Sequence, residues 1–183
     1  MLLSLLEQNP YLLEVINNTE DLGLPNCFVA GACFAQTYWN IQHGFNPSVN
    51  IKDIDLIYFD PSDLSQEAEQ KHAQRIQERF AHIAVPVDVK NQARVHLWYQ
   101  QKFGYAIEAY GSSTEAIDTF PITAGCIGIC KEKGECKIYS TFGFDDLFGG
   151  IVQPNKKQIT KDIYEAKLLR WKPLWPNLTY VEW

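Results

Sequence analysis

Asp53 and Asp55 stand two residues apart in an apolar stretch, and Asp88 stands between Val87 and Val89. Residues i and i+2 of a strand project to the same side, so Asp53 and Asp55 share one face while Ile54 and Leu56 take the other. At a separation of roughly 6 Å and an effective dielectric near 20, two such charges repel by about 2–3 kcal/mol, a cost that a divalent cation between them removes. Asp88 supplies a third carboxylate if its strand lies beside the first. Three oxygen donors with positions left for water and phosphate suit Mg²⁺, or Mn²⁺ in its place, because such a cation keeps part of its hydration shell and favours substrate phosphates. The chemistry this serves is nucleotidyl transfer. One metal held by all three aspartates would acidify an acceptor hydroxyl, with Asp88 as general base through it, and a second held by Asp53 and Asp55 would neutralise departing pyrophosphate.

Gly31 is the other candidate, as a phosphate-binding turn. It ends the short apolar run 27–30 and precedes a helix-period segment, 32–43, so backbone N–H groups at Gly31 and Ala32 can approach a triphosphate near a helix N-terminus. Asn91, Gln92, Arg94 and His96 follow Asp88. Arg94 is a candidate phosphate clamp, and Asn91 or Gln92 a partner for a sugar or base edge; for Asn91 a helix cap is the equal alternative. His96 is expected to make a structural hydrogen bond, and Trp98 and Tyr99 to belong to the core. Alone, a D-x-D pair is as readily a solvated strand end partnered by Lys52. Gly31 upstream and Asp88 downstream, in the right elements, favour the functional reading.

The elements that must position these residues follow from periodicity. Asn9-Pro10 caps and opens a helix through about residue 18, after a leading cluster of leucines. Residues 53–59 read as a strand, 62–80 as a polar helix with Ala68, His72, Ile76 and Phe80 on its less polar face, and 84–89 as a strand. Residues 94–103 read as helical, and Ser112 or Ser113 can cap a short helix through Phe120. Residues 122–130 and 136–140 form a hairpin around Gly134, Asp145 and Asp146 cap a helical turn, and 160–171 make a last helix. One compact unit of 183 residues is expected, with a core at about 10–105 and a C-terminal extension at about 106–183.

With 46% hydrophobic and 13% aromatic residues there is material for a packed core. The net charge of −6 argues against broad nucleic-acid or anionic-membrane attachment, although Asn155, Lys156, Lys157 and Lys161 form a modest basic cluster. The leading apolar stretch, residues 1–6, is interrupted by Ser4 and followed by Glu7, so neither a signal peptide nor a membrane span is expected. Five cysteines without an export signal suggest reduced thiols and a cytoplasmic location. Cys126 and Cys130, alternating with isoleucines, read as buried small hydrophobes rather than zinc ligands.

The order strand-Gly-x-helix, h-D-h-D-h, h-D-h over residues 28–89 resembles the DNA polymerase beta-like nucleotidyltransferase superfamily. The stretches GACFAQTYWN, IKDIDLIYFD, VDVKNQARVHLWY, FGFDDLFGGIVQPN and RWKPLWP resemble, across nearly the whole chain, a small bacterial family of nucleotidyltransferase-like proteins. The resemblance implies an α/β (α+β) nucleotidyltransferase fold, a mixed β-sheet flanked by helices with a C-terminal hairpin and helix. It also implies Asp53, Asp55 and Asp88 in the metal positions and Gly31 at the phosphate turn. The superfamily turn is usually Gly-Gly or Gly-Ser; here Ala32 removes the hydroxyl that commonly touches a phosphate. The resulting expectation is a metal-dependent enzyme moving NMP from an NTP to a hydroxyl of an unspecified acceptor, be it small molecule, RNA or protein. The alternatives are a silent nucleotide- or metal-binding module and a toxin-like modifier.

Overall fold

In the computed structural model, which describes residues 2–183, the chain begins with two short helices, α1 (Leu2–Leu6) and α2 (Pro10–Asn18). Met1, part of the leading apolar stretch, lies outside the described residues. Proline needs no N–H in the first turn, and the Leu12 N–H donates to Asn9 Oδ1 at 3.2 Å, so Asn9 and Pro10 start α2 as their chemistry dictates.

Five strands form one mixed sheet: β1 (Phe28–Ala30), β2 (Ile54–Tyr58), β3 (Val87–Asn91), β4 (Ile127–Glu132) and β5 (Glu135–Ser140). Their spatial order is β3-β2-β1-β4-β5, with β2 and β3 parallel and the remaining pairs antiparallel. A parallel pair needs a long crossover, supplied by α4 (Gln66–Arg79), whose first turn is capped by Ser65. Strands from the C-terminal part thus join the same sheet as the N-terminal ones.

Alternation along the strands divides the sheet into two faces. Val29, Ile54, Leu56, Val87, Val89, Ile127 and Ile129 enter the main core with Leu12 and Ile16 of α2, Ile76 of α4, and Phe34 and Trp39 of α3 (Cys33–Gln42). On the opposite face Phe28, Ala30, Ile57, Cys126 and Cys130 pack with Ile117 of α6 (Ser113–Ile117) in a smaller cluster. Gly128 is required there: a Cβ would stand 2.5 Å from Ile117 Cδ1.

Three elements frame that second face: α5 (Val95–Phe103), the segment after α6, and α8 (Lys161–Trp171). Between them, α7 (Asp145–Phe148) precedes a two-residue parallel pairing of β6 (Ile151–Val152) with β7 (Thr179–Tyr180). The tail after α8 is fastened to α3: fully buried Trp175 donates Nε1–H to Asn40 Oδ1 at 2.9 Å, and the Trp39 ring meets Trp171 and Trp175 at 5.5 and 5.4 Å. Replacing a buried indole by alanine typically costs about 3–5 kcal/mol, so this contact holds α8 in place.

Several boundaries differ from the sequence expectation. Strand β2 starts at Ile54, leaving Asp53 one residue ahead of it with parity preserved, and β3 runs to Asn91 instead of stopping at Val89. The hairpin begins at Ile127 because Thr123–Gly125 form a 3-10 turn, and α6 ends at Ile117. No described helix is long and apolar enough to cross a membrane.

Candidate active site

Asp55 and Asp88 are direct Cα partners on parallel β2 and β3, and Ala30, at the end of β1, pairs with Asp55 from the other side. Gly31 therefore passes over the Asp55 carboxylate. Its φ of +96° lies where L side chains are strained, and a Cβ there would stand 3.0 Å from Asp55 Oδ2. The Gly31 N–H itself is spent on Ile127 O, at 3.0 Å, so it completes the sheet and is not free for a phosphate. The donors at this turn are the first-turn N–H groups of α3, which no side chain caps: Ala32 occupies the cap position without an acceptor to offer.

The flanking carboxylates carry lysines. Lys52 Nζ lies 3.2 Å from Asp53 Oδ2, and Lys90 Nζ lies 2.8 Å from Asp88 Oδ1. Both pairs are open to solvent and worth little to stability. Asp55, between them, forms no ion pair among the described residues; burial first, then the charges of Asp53 and Asp88, push its carboxyl up to about 7. Burial, and next the charge of Asp55, likewise hold the Cys33 thiol well above its ordinary range, so it is an inert wall of the site.

These groups line a cleft of about 550 Å³. Besides Gly31, Ala32 and the three aspartates, it receives Lys90 and Gln92 from the end of β3, Lys102 from α5, and Lys167, Arg170 and Trp171 from α8. Lys167 senses the carboxylates: burial and Arg170 lower its pKa, while Asp55 and Asp53 oppose that shift.

Two predicted contributors lie elsewhere. Because β3 continues to Asn91, that residue shares the core-facing parity of Val87 and Val89; its side chain accepts from Ala93 N and Asp60 N and donates to Asp60 O, a cap and loop anchor. Arg94 is likewise not a cleft residue: its Nη1 donates to Glu69 Oε1 of α4 at 2.7 Å in a buried pair, and its Nε to Leu64 O. Gln92, of opposite parity, does reach the cleft. His96 Nδ1 is buried without a hydrogen-bond partner, contrary to expectation. The basic cluster dissolves into separate contacts, with Lys157 on Asp118, Lys161 on Glu165 and Lys156 over Trp183. Tyr99 is buried as expected, whereas Trp98 is half-buried.

Three hard oxygen donors on adjoining strands, the central one discouraged from ionising by its neighbours, are a donor set that suits Mg²⁺ or Mn²⁺. As placed, no group of three His, Cys, Asp or Glu among the described residues converges closely enough to chelate, and Lys52 and Lys90 hold the outer carboxylates in ion pairs. Holding a cation would require those two exposed lysines to release their partners, a movement costing at most about 1 kcal/mol each.

A mixed sheet with paired acidic strands beside a glycine turn and an open helix N-terminus defines a nucleotidyltransferase-type fold. A family model described as Nucleotidyltransferase matches residues 17–180, and the chain belongs to that family. An NMR structure described as revealing a CCA-adding enzyme head domain is similar over 100% of this chain and 95% of that one, with TM-score 0.80 and 22% identity. No curated protein matches the sequence.

Proposed function

We propose that the cleft transfers NMP from an NTP to an acceptor hydroxyl, releasing pyrophosphate, in the presence of Mg²⁺ or Mn²⁺. The observation that carries this reading is the in-register pairing of Asp55 with Asp88 beneath the Gly31 turn. Asp53, Asp55 and Asp88 would hold the cation, which when bound supplies charge neutralisation for the triphosphate and acidifies the acceptor hydroxyl. The uncapped N–H groups of α3 bind phosphate oxygens, aided by the helix dipole, and Lys167 and Arg170 face the same anionic charge. The acceptor oxygen bonds to the α-phosphorus as the bond to pyrophosphate breaks, the electron pair leaving with pyrophosphate, and the hydroxyl proton passes toward Asp88 and solvent. The fold shared with a CCA-adding enzyme head domain supports a nucleotide donor.

Purified protein should bind labelled NTP only with Mg²⁺ or Mn²⁺, and Asp55→Asn should abolish that binding; metal-independent binding that survives the substitution sinks the proposal. A second reading, a binder without turnover, draws on Ala32, which leaves the phosphate turn one hydroxyl short. Transfer of label from an α-labelled NTP to any component of a cell lysate excludes the pure binder.

A further inference from the structure

Beside the cleft lies a second cavity of about 560 Å³, lined by Trp98, Tyr99 and Phe103 of α5, by Ile159, and by Ile163 and Ala166 of α8. The two compartments share a wall that includes Lys90, Gln92, Lys102, Phe120, Lys167 and Arg170. Each falls in the size range of a small-molecule site.

The annex is apolar by construction as well as by composition. Its hydroxyls satisfy one another: Tyr110 OH pairs with Thr119 Oγ1 and donates to Gln158 Oε1, both at 2.9 Å, while Tyr99 OH pairs with Tyr105 OH at 3.1 Å, and Tyr105 OH donates to Gln158 O at 3.0 Å. A ligand rich in hydroxyls or base edges finds few partners there, whereas a flat apolar body is well received. At the rim the charge is positive. Lys102 Nζ stands 5.2 Å from the Trp98 ring centroid, a cation–π contact that holds it beside the opening, with Lys167 and Arg170 opposite on α8.

The annex also meets the cleft on a particular side. Asp88, Lys90 and Gln92 share one face of β3 and its extension, and the last two line both cavities, so a ligand in the annex reaches the carboxylates from the Asp88 end. Gln36 and Asn50 line the cleft but not the annex, so the amides that can meet the donor's base lie within the cleft itself. We propose that the annex is the acceptor compartment, and that the acceptor is a small anion with an aromatic or apolar body carrying a hydroxyl, not a polymer. This rests on the transfer reading only for the identity of the ligand as acceptor; the binding compartment stands apart from it. The reaction then joins the acceptor's hydroxyl oxygen to the NMP phosphorus, with pyrophosphate and a proton released.

A suitable probe is 8-anilinonaphthalene-1-sulfonate, a fused aromatic body with one fixed anionic group, titrated by fluorescence without divalent cation. One saturable site is expected, weakened tenfold or more by Ala166→Trp, which fills the annex from a solvent-exposed position on α8, and similarly by Lys102→Gln, which removes the rim charge. Saturating ATP with Mg²⁺ should leave the probe bound, and Ala166→Trp should leave labelled-ATP binding unchanged. Absence of a saturable site, or indifference to both substitutions, overturns the compartment. Competitive displacement of the probe by ATP overturns its assignment to the acceptor, since the annex would then hold the donor's base. Failure of labelled ATP to bind refutes the transfer reading, while the probe arms still judge the compartment.

Discussion

Asp55 and Asp88 are lateral neighbours on parallel strands, so their Cα atoms are held a strand spacing apart, about 4.8 Å, by backbone hydrogen bonds that do not depend on either charge. The backbone thus enforces an electrostatic cost on the metal-free protein. The Asp55 carboxyl, raised to about 7 by burial and then by Asp53 and Asp88, is ionised at a lower pH in the unfolded chain, near 4. Below about pH 4 it is protonated in both states and costs nothing; between about 4 and 7 the unfolded state gains from ionising and the folded state does not, so stability falls as pH rises. Asp55→Asn should therefore stabilise the metal-free protein at pH 8 by about 2–3 kcal/mol, allowing for its partial exposure, relative to any difference at pH 4. Urea denaturation at the two pH values in EDTA measures this. Adding Mg²⁺ should raise the midpoint of the wild type at pH 8 and leave the variant unmoved.

Gly31→Ala tests the turn above that carboxylate. The substitution places a Cβ at φ +96° and 3.0 Å from Asp55 Oδ2, so both backbone strain and a contact with a side chain that the sheet holds in place oppose it. A loss of about 1–3 kcal/mol is expected, readable from denaturant midpoints at unchanged slope. Gly134→Ala, a positive-φ position in the β4–β5 turn with nothing within 4 Å of the new Cβ, should show the strain alone and so a smaller loss.

Much of the site was legible because it rests on short-range rules. The parity of Asp53 and Asp55 survives the shortening of their strand, and Gly31 between an apolar run and a helix is a local pattern. For Asn91 the structure shows the cap alternative, because two further residues of β3 turn it toward the core and bring Gln92, the other candidate amide, to the cleft. The partner of Arg94 was not legible because Glu69 lies 25 residues upstream on α4, whose expected face does pack inward, with Ile76 and Phe80 buried and His72 against Tyr58, but gives no sign of the buried Glu69 beside it. Two of the cations that face the cleft, Lys167 and Arg170, come from α8, on a stripe with Ile163 at spacings of four and three. That stripe is readable as one helix face, but what it covers depends on the Trp175–Asn40 contact, 135 residues apart, which no local pattern contains.

Breaking the Arg94–Glu69 pair should separate stability from binding. Both side chains are about nine-tenths buried, and removing one partner strands the other's charge, which typically costs about 3–5 kcal/mol. Arg94→Met should lose stability on that scale, yet the fraction that remains folded should bind labelled NTP with Mg²⁺ as tightly as the wild type. A large loss of affinity in protein shown to be folded by its near-UV circular dichroism would restore the phosphate-clamp role.

Lys167 and Lys157 make the complementary comparison. Lys157 belongs to the basic cluster visible in the sequence but pairs with Asp118 outside the cleft, whereas Lys167 lines the cleft and feels Asp55 and Asp53. A cation facing a triphosphate in a partly desolvated cleft contributes a charge-assisted contact that an exposed lysine elsewhere cannot. Lys167→Met should therefore weaken Mg²⁺-dependent NTP binding about tenfold or more, equivalent to at least about 1.4 kcal/mol, and flatten its salt dependence. Lys157→Met should change the dissociation constant less than twofold, about 0.4 kcal/mol. Equal effects from the two substitutions, measured by equilibrium titration at low and high salt, would mean that net charge rather than the α8 face attracts the nucleotide.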